Sequence, residues 1–318
     1  MKNKILNFLR ASDNFVSGED ISRHLLISRA GIWKHINQLR KEGYEILAVP
    51  HLGYRLESTP DRLKPEEVEY KLGTRILGKK IYYYEVVPST NDEAMRLGLS
   101  NAPEGTIVLA ESQTKGRGRL GRAWHSPKTK GIYLSVILRP KIIPNASPIL
   151  TLMASASVCE AIKKSASIDA QIKWPNDILV RHKKIGGILT ELKAEMDVVS
   201  FVVIGLGLNV NNDKKTLPEG ATSLREQKKE DVNRLELLQE ILRALEENYL
   251  IFKEDGAGPI LEKWRAYNLS LGKRVKVVYQ SKHLEGMAVD IDSDGGLLIR
   301  KDSGLIEKVM AGDIIHFR

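Results

Sequence analysis

The chain has 318 residues, enough for two or three domains of ordinary size, and a hydrophobic content of 42% supports real cores and excludes wholesale disorder. No apolar run approaches the ~20 residues needed to cross a bilayer, and the first residues enter an amphipathic stretch without a signal-type apolar block, so cytoplasm is the expected compartment. A single cysteine, Cys159, excludes an internal disulfide framework and a multi-thiolate metal site, and the net charge of +9 favours polyanionic partners.

Residues 4–10 carry Ile5, Phe8 and Leu9 at helical spacing. Ser17 is placed to cap a second helix, with Asp20 three residues on as a weaker relative of the capping box. The turn Leu26-Ile27 leads to Ser28, the expected cap of a third helix that runs to Glu42 and stops at Gly43. On it Ile32, Ile36 and Leu39 share one face. Rotation of ~100° per residue puts Ala30, Lys34, Asn37 and Lys41 opposite, with Arg29, Trp33 and Arg40 along an edge. Strands at 44–49 and 53–56 follow, joined by Pro50-His51-Leu52. Three helices and a hairpin predict a winged helix-turn-helix over residues 1–60. A basic amphipathic helix can simply face solvent. Here the order of elements, the tight turn and the basic third helix argue together for DNA binding, with Ser28, Arg29, Trp33, Lys34 and Asn37 as candidate contacts.

Thr59-Pro60-Asp61 breaks this pattern. The next segment alternates strand-like and helix-like stretches as an α+β domain would: a helix at 65–72, a strand at 81–87, a helix from Glu93 and a strand at 107–110. Further on come strands at 132–138, 172–180, 188–192 and 198–204, with helices at 150–165 and 235–252. Cys159, in the small-residue helical run Ala154-Ser155-Ala156-Ser157-Val158-Cys159, reads as a buried apolar side chain. From 271 onward, glycine-punctuated strands at 274–278, 284–290, 297–300, 306–309 and 314–317 predict a small barrel.

Eight basic residues and no acidic one fall between Ser112 and Lys141, four of them within Lys115-Gly116-Arg117-Gly118-Arg119-Leu120-Gly121-Arg122. Glycine lets backbone approach a ligand closely, and arginine's planar fork grips carboxylate or phosphate oxygens in pairs. Strand-like flanks place this loop in a folded pocket that binds something negative. Ser89-Thr90-Asn91, at a helix start, suits a neutral polar ring or an anion, although a plain N-cap reads the same way. Lys173-Trp174-Pro175-Asn176-Asp177 puts a cation, an aromatic and a carboxylate around a proline-forced turn, and Lys184 leads into Ile185-Gly186-Gly187-Ile188. Gly205-Leu206-Gly207 resembles a dinucleotide fingerprint only superficially, since Val210 replaces the last glycine. No Walker-type phosphate loop, Gly-x-Ser-x-Gly elbow or close histidine pair occurs, so hydrolytic and zinc chemistry are disfavoured.

These motifs, in this order and with Gly205-Leu206-Gly207-Leu208-Asn209-Val210, resemble the biotin–protein ligases. The N-terminal module makes the whole chain similar to the bifunctional members that also repress a biotin operon. The resemblance implies a central mixed-sheet catalytic domain over 61–270 and a small SH3-like β-barrel over 271–318. It implies that biotin and ATP, with Mg²⁺ carried by the nucleotide, form biotinyl-5′-AMP, which biotinylates a lysine of a carboxylase's biotin carboxyl carrier protein. By the same resemblance Ser89, Thr90, Asn91, Gln113, Arg117, Gly118, Arg119 and Lys184 hold biotin. Lys184, Arg119 and Asp177 act at the reacting centre, and Arg122, Trp124, Asn176 and Asn209 take the nucleotide. An adenylate-bound homodimer on operator DNA is implied too. A lipoate-type acyl-adenylate ligase and a non-catalytic biotin-sensing repressor are the alternatives.

Overall fold

The computed structural model describes residues 1–195, 197–279 and 282–316, apart from the side chains of Lys282 and His316. The chain forms two compact units, Met1–Arg62 and Leu63–Arg318. In the first, α1 (Lys2–Arg10), α2 (Gly18–Leu25) and α3 (Arg29–Lys41) are followed by an antiparallel hairpin of β1 (Glu45–Val49) and β2 (Gly53–Ser58). The caps are those expected. Ser17 Oγ accepts the Asp20 backbone N–H at 3.0 Å and donates to its carboxylate at 2.8 Å, and Ser28 Oγ accepts from Gly31 at 3.2 Å. Ile5, Leu6, Leu9, Ile21, Ile32, Ile36 and Leu39 form the core with Tyr44 and Ile46. Val16 and Tyr54 exchange backbone hydrogen bonds at 2.8 and 2.9 Å, tying the hairpin to the segment before α2. Gly53 is required there: its φ is +109°, and a Cβ would stand 2.0 Å from the Val16 carbonyl oxygen.

The second unit begins with α4 (Pro65–Glu69), β3 (Ile81–Tyr84), α5 (Thr90–Leu99), β4 (Ile107–Ala110), β5 (Gly131–Leu138) and α6 (Pro148–Ala166). It continues through β6 (Gln171–Lys173), β7 (Asp177–Val180), β8 (Lys183–Glu195), β9 (Val198–Asn209), α7 (Leu224–Lys228), α8 (Arg234–Asp255) and α9 (Gly258–Tyr267). Seven strands make one mixed sheet in the order β3-β4-β5-β9-β8-β7-β6, parallel only between β3 and β4. α6 and α8 cover one face through the main core, and α5 covers part of the other with Ala94 and Leu97 against Val108, Ile137, Phe201 and Val203. α6 is buried around most of its circumference, so Cys159 has no access to water and burial pushes its thiol pKa up. The last strands, β10 (Arg274–Tyr279), β11 (Lys282–Ile291), β12 (Leu297–Arg300), β13 (Ile306–Val309) and β14 (Asp313–His316), pair antiparallel in the order β13-β12-β11-β10-β14. They are the five strands expected after residue 271; Phe317, the end of the last predicted strand, lies outside the described residues. Among the described residues no helix is long and apolar enough to cross a membrane.

Several expected boundaries shift. The segment 172–180, expected as strand, is not one strand: β6 and β7 fold back on each other around Trp174-Pro175, whose peptide bond is cis. The helix expected to reach residue 72 ends at Glu69, and the strand expected to reach residue 87 ends at Tyr84. Gly205-Leu206-Gly207 lies inside β9, which runs five residues past its expected end.

A fully buried ion pair fixes the root of the glycine–arginine loop. Glu111, just after β4, accepts from Arg234 at 2.9 Å, and Arg234 also donates to the Gly131 carbonyl at 2.9 Å, where the chain returns to β5. The other Glu111 oxygen accepts the Leu63 backbone N–H at 2.9 Å. Removing one partner of a buried pair leaves an uncompensated charge and costs about 3–5 kcal/mol. Arg234→Met is therefore expected to lower the stability of the second unit by that amount, read as a reduced urea midpoint.

Candidate active site

The Ser-Thr-Asn motif opens α5. Ser89 does cap the helix, its Oγ accepting the Asp92 N–H at 3.3 Å, and the three side chains are buried against the sheet. Thr90 donates through its backbone N–H (2.8 Å) and hydroxyl (3.1 Å) to Gln113 Oε1, and Gln113 Nε2 donates to Ser126 at 3.0 Å. Asn91 Oδ1 lies 2.6 Å from the Ser135 hydroxyl of β5, while its Nδ2 donates to Glu191 at 2.8 Å and to the Leu189 carbonyl at 3.3 Å. Both ends of the amide are engaged, so its orientation is set.

The glycine–arginine loop closes on itself and then on its neighbours. Gly118 N–H donates to the Arg122 carbonyl at 2.7 Å and Trp124 N–H to the Gly116 carbonyl at 2.8 Å. Arg117 pairs with Asp92 and forks onto Glu191, which holds its pKa above the ordinary arginine value, the Asp92 hydrogen bond contributing most. Arg119 donates to Asn176 at 3.1 Å and to the Gly312 carbonyl at 3.3 Å, with Asp313 at 3.8 Å. Burial lowers its pKa, and Asp313 and Asp177 oppose that shift. Arg122 pairs with Asp313. Leu120 stands 79% exposed at the loop's outer edge with a positive φ of 56°.

Lys184 lines the same cavity as this loop. Its ammonium is 2.6 Å from Asp177 and 5.7 Å from the centre of the Trp124 ring. Its backbone is held on both sides by segment 220–222, donating to Gly220 at 3.0 Å and accepting from Thr222 at 2.8 Å. Asn176 Nδ2 donates to the Ile188 carbonyl at 2.7 Å, and Asn209 Nδ2 to Thr222 at 3.2 Å. The Trp124 indole N–H is buried and has no partner among the described residues.

These parts surround one cavity of about 220 Å³. Ser89, Thr90, Asn91, Gln113, Arg117, Gly118, Arg119, Arg122, Trp124, Asn176, Asp177, Lys184 and Asn209 all line it. The DNA-contact candidates belong to the first unit: Arg29, Trp33 and Lys34 are exposed on α3, Asn37 is half-buried, and Ser28 caps the helix. Arg29 pairs with Glu19 at 3.1 Å. Sequence reasoning missed Glu191, Asp92, Asp313, Ser135 and the wall residues Leu217, Pro218 and Ala221. The alternation of β8, which carries Gly187, Leu189 and Glu191 on one face, is the signal that could have found Glu191.

The glycines of β9 make room for these groups. A Cβ at Gly205 would stand 1.9 Å from Asn91 Oδ1, and one at Gly207 would stand 2.4 Å from the Trp124 ring. Gly205→Ala must displace Asn91 and break its three contacts. It is expected to weaken binding of the ligand, biotin on the reading above, by tenfold or more, on the order of one or two lost hydrogen bonds. Calorimetric titration checks this.

Comparison with known proteins agrees with this geometry. Residues 83–209 match the biotin/lipoate A/B protein ligase family, residues 2–55 an HTH domain and residues 270–316 the biotin protein ligase C-terminal domain. The chain is 42% identical over 317 residues to the bifunctional ligase/repressor BirA of Bacillus subtilis (strain 168), covering 98% of this chain and 97% of that one. It is 33% identical over 323 residues to the Escherichia coli (strain K12) protein of the same description, covering 96% and 94%. A solved biotin protein ligase from Aquifex aeolicus, in complex with biotin and ATP, is similar with a TM-score of 0.66 and 34% identity, over 76% of this chain and 99% of that chain. Near full-length identity to ligase/repressors joins a cavity built from the Ser-Thr-Asn turn, the glycine–arginine loop and Lys184: the chain belongs to the biotin protein ligase family, in its bifunctional ligase/repressor form.

Proposed function

We propose that the second unit attaches biotin to a lysine of a biotin carboxyl carrier protein in two steps, acting in the cytoplasm, and that the first unit takes the protein to operator DNA. In the first step a biotin carboxylate oxygen bonds to the α-phosphorus of ATP, the bond to pyrophosphate breaks, and biotinyl-5′-AMP forms. In the second, the carrier's neutral lysine amine attacks the acyl carbon, AMP leaves, and the amine's proton is released. Both substrates of the first step are anions, so the site's task is to hold them together against repulsion. The observation that carries this reading is that Lys184, paired with Asp177, lines one cavity together with Arg119 and the Ser-Thr-Asn turn.

On this reading Ser89, Thr90, Asn91 and Gln113 take the neutral ring of biotin, and the loop residues Arg117 and Gly118 cover its carboxylate arm. Lys184 and Arg119 offset charge at the acyl and α-phosphate oxygens. Arg122, Asn176 and Asn209 line the nucleotide end, where the Trp124 indole offers both a face for adenine and a donor that has no partner among the described residues. Part of the phosphate charge would be neutralised by Mg²⁺ carried with ATP. Asp177 and Asp313 are the carboxylates of the cavity wall, and their hard oxygen donors suit that ion. Division of the chain at residues 60 and 270 separates DNA reading, adenylation and a C-terminal module. Repression follows when the adenylate-bound chain pairs with a second copy and the two α3 helices meet a two-fold operator.

Incubation with biotin, ATP, Mg²⁺ and a carrier domain is expected to give a biotinyl-lysine detectable by mass spectrometry. A labelled carrier with lipoate in place of biotin, or no product at all, refutes the assignment. Lys184→Ala is expected to lower the rate of adenylate formation by roughly 10²–10³-fold with a smaller loss of biotin binding, read by pyrophosphate release against calorimetry. Lys34→Ala is expected to reduce the salt dependence of operator binding by about one unit of log–log slope, read by titration of the adenylate-loaded protein at several salt concentrations.

A further inference from the structure

Glu191 joins two parts of the site that the chain keeps far apart, Asn91 lying 100 residues before it and Arg117 74 residues before it. Arg117 meets it as a fork, Nη1 to Oε1 at 2.9 Å and Nη2 to Oε2 at 3.2 Å, a planar pairing that restricts both side chains. The same Oε2 accepts from Asn91 Nδ2 at 2.8 Å. Asn91 and Arg117 line the cavity, whereas Glu191 stands outside that wall. Arg117 has a second carboxylate partner, Asp92, but that side chain is 53% exposed against 26% for Glu191, so solvent and salt screen it more. Without Glu191, Arg117 would keep only the more screened carboxylate, Asp92. Asn91 Nδ2 would keep only the Leu189 carbonyl at 3.3 Å.

We propose that Glu191 is a positioning residue for ligation. One carboxylate sets the amide at the biotin end and the Arg117 end of the glycine–arginine loop, so the loop closes in register with the first turn of α5. This reading rests on the ligase assignment above and adds a residue outside the cavity wall that governs biotin affinity through two others.

Full-length Glu191→Gln removes the charge while keeping the size. It is expected to raise KM for biotin about tenfold, the scale of one charge-assisted hydrogen bond, with kcat within about twofold. Trypsin should cut within residues 115–122 several-fold faster than in the wild type. In an Arg117→Gln background the same substitution should raise KM by a smaller factor, because one of its two contacts is already gone. Wild-type KM and cleavage rate overturn the proposal; so does a fall in kcat at unchanged KM, which would place Glu191 in the chemistry. If Glu191→Gln loses the wild-type denaturation midpoint, Arg117→Gln alone tests the same contact from a more exposed side chain, and unchanged KM and cleavage there refute the idea. Absence of biotinyl-lysine from the wild type would sink the ligase assignment, whereas the trypsin comparison still judges the hold of Glu191 on the loop.

Discussion

Cations gathered around one cavity repel one another, and the architecture of this site follows from how that repulsion is contained. Arg117 meets Asp92 and Glu191, Arg122 and Arg119 approach Asp313, and Lys184 meets Asp177. The four cations are thus matched by four carboxylates supplied from α5, β8, β14 and β7. An entering carboxylate or phosphate competes with these acids and does not meet bare positive charge. The site therefore gains selectivity: only a ligand that offers more than one anionic or hydrogen-bonding group at the right spacing displaces several partners together.

Rigid backbone beneath this charge keeps the exchange local. The loop's root is fixed by the fully buried Glu111–Arg234 pair and by Arg234's bond to Gly131, while its apex at Leu120 is exposed. Lys184 is bonded through its own backbone to segment 220–222, whose neighbours Leu217 and Pro218 also line the cavity. Both halves of the cation set rest on β-sheet or on its buried edge. Such backbone anchoring is what preorganised electrostatic stabilisation requires.

Much of this was legible in sequence because the signals are local. Ser17, Ser28 and Ser89 cap the helices that their positions announced, and glycine punctuation after residue 271 marked the strands of the last sheet. The motifs that line the cavity were visible one by one, since glycine, arginine and Ser-Thr-Asn carry their chemistry in themselves. Their partners were not. Asp313 lies 191 residues from Arg122, and no local pattern announces such a contact. The proline turn at Pro175 was legible, but the antiparallel pairing of β6 with β7 across it was not, since 172–180 also read as strand. Gly205 and Gly207 were conspicuous but misleading: they serve Asn91 and Trp124, groups brought over them by other elements.

The missing side chain at Gly205 has a further consequence for redesign of the cavity. The atoms nearest the space above Gly205 belong to Asn91, so trimming that side chain to a smaller residue would deepen the chamber over this part of β9 without any change in the strand. Broader acceptance of bulkier ring systems is therefore encoded at a helix's first turn, and the sheet underneath already has the clearance.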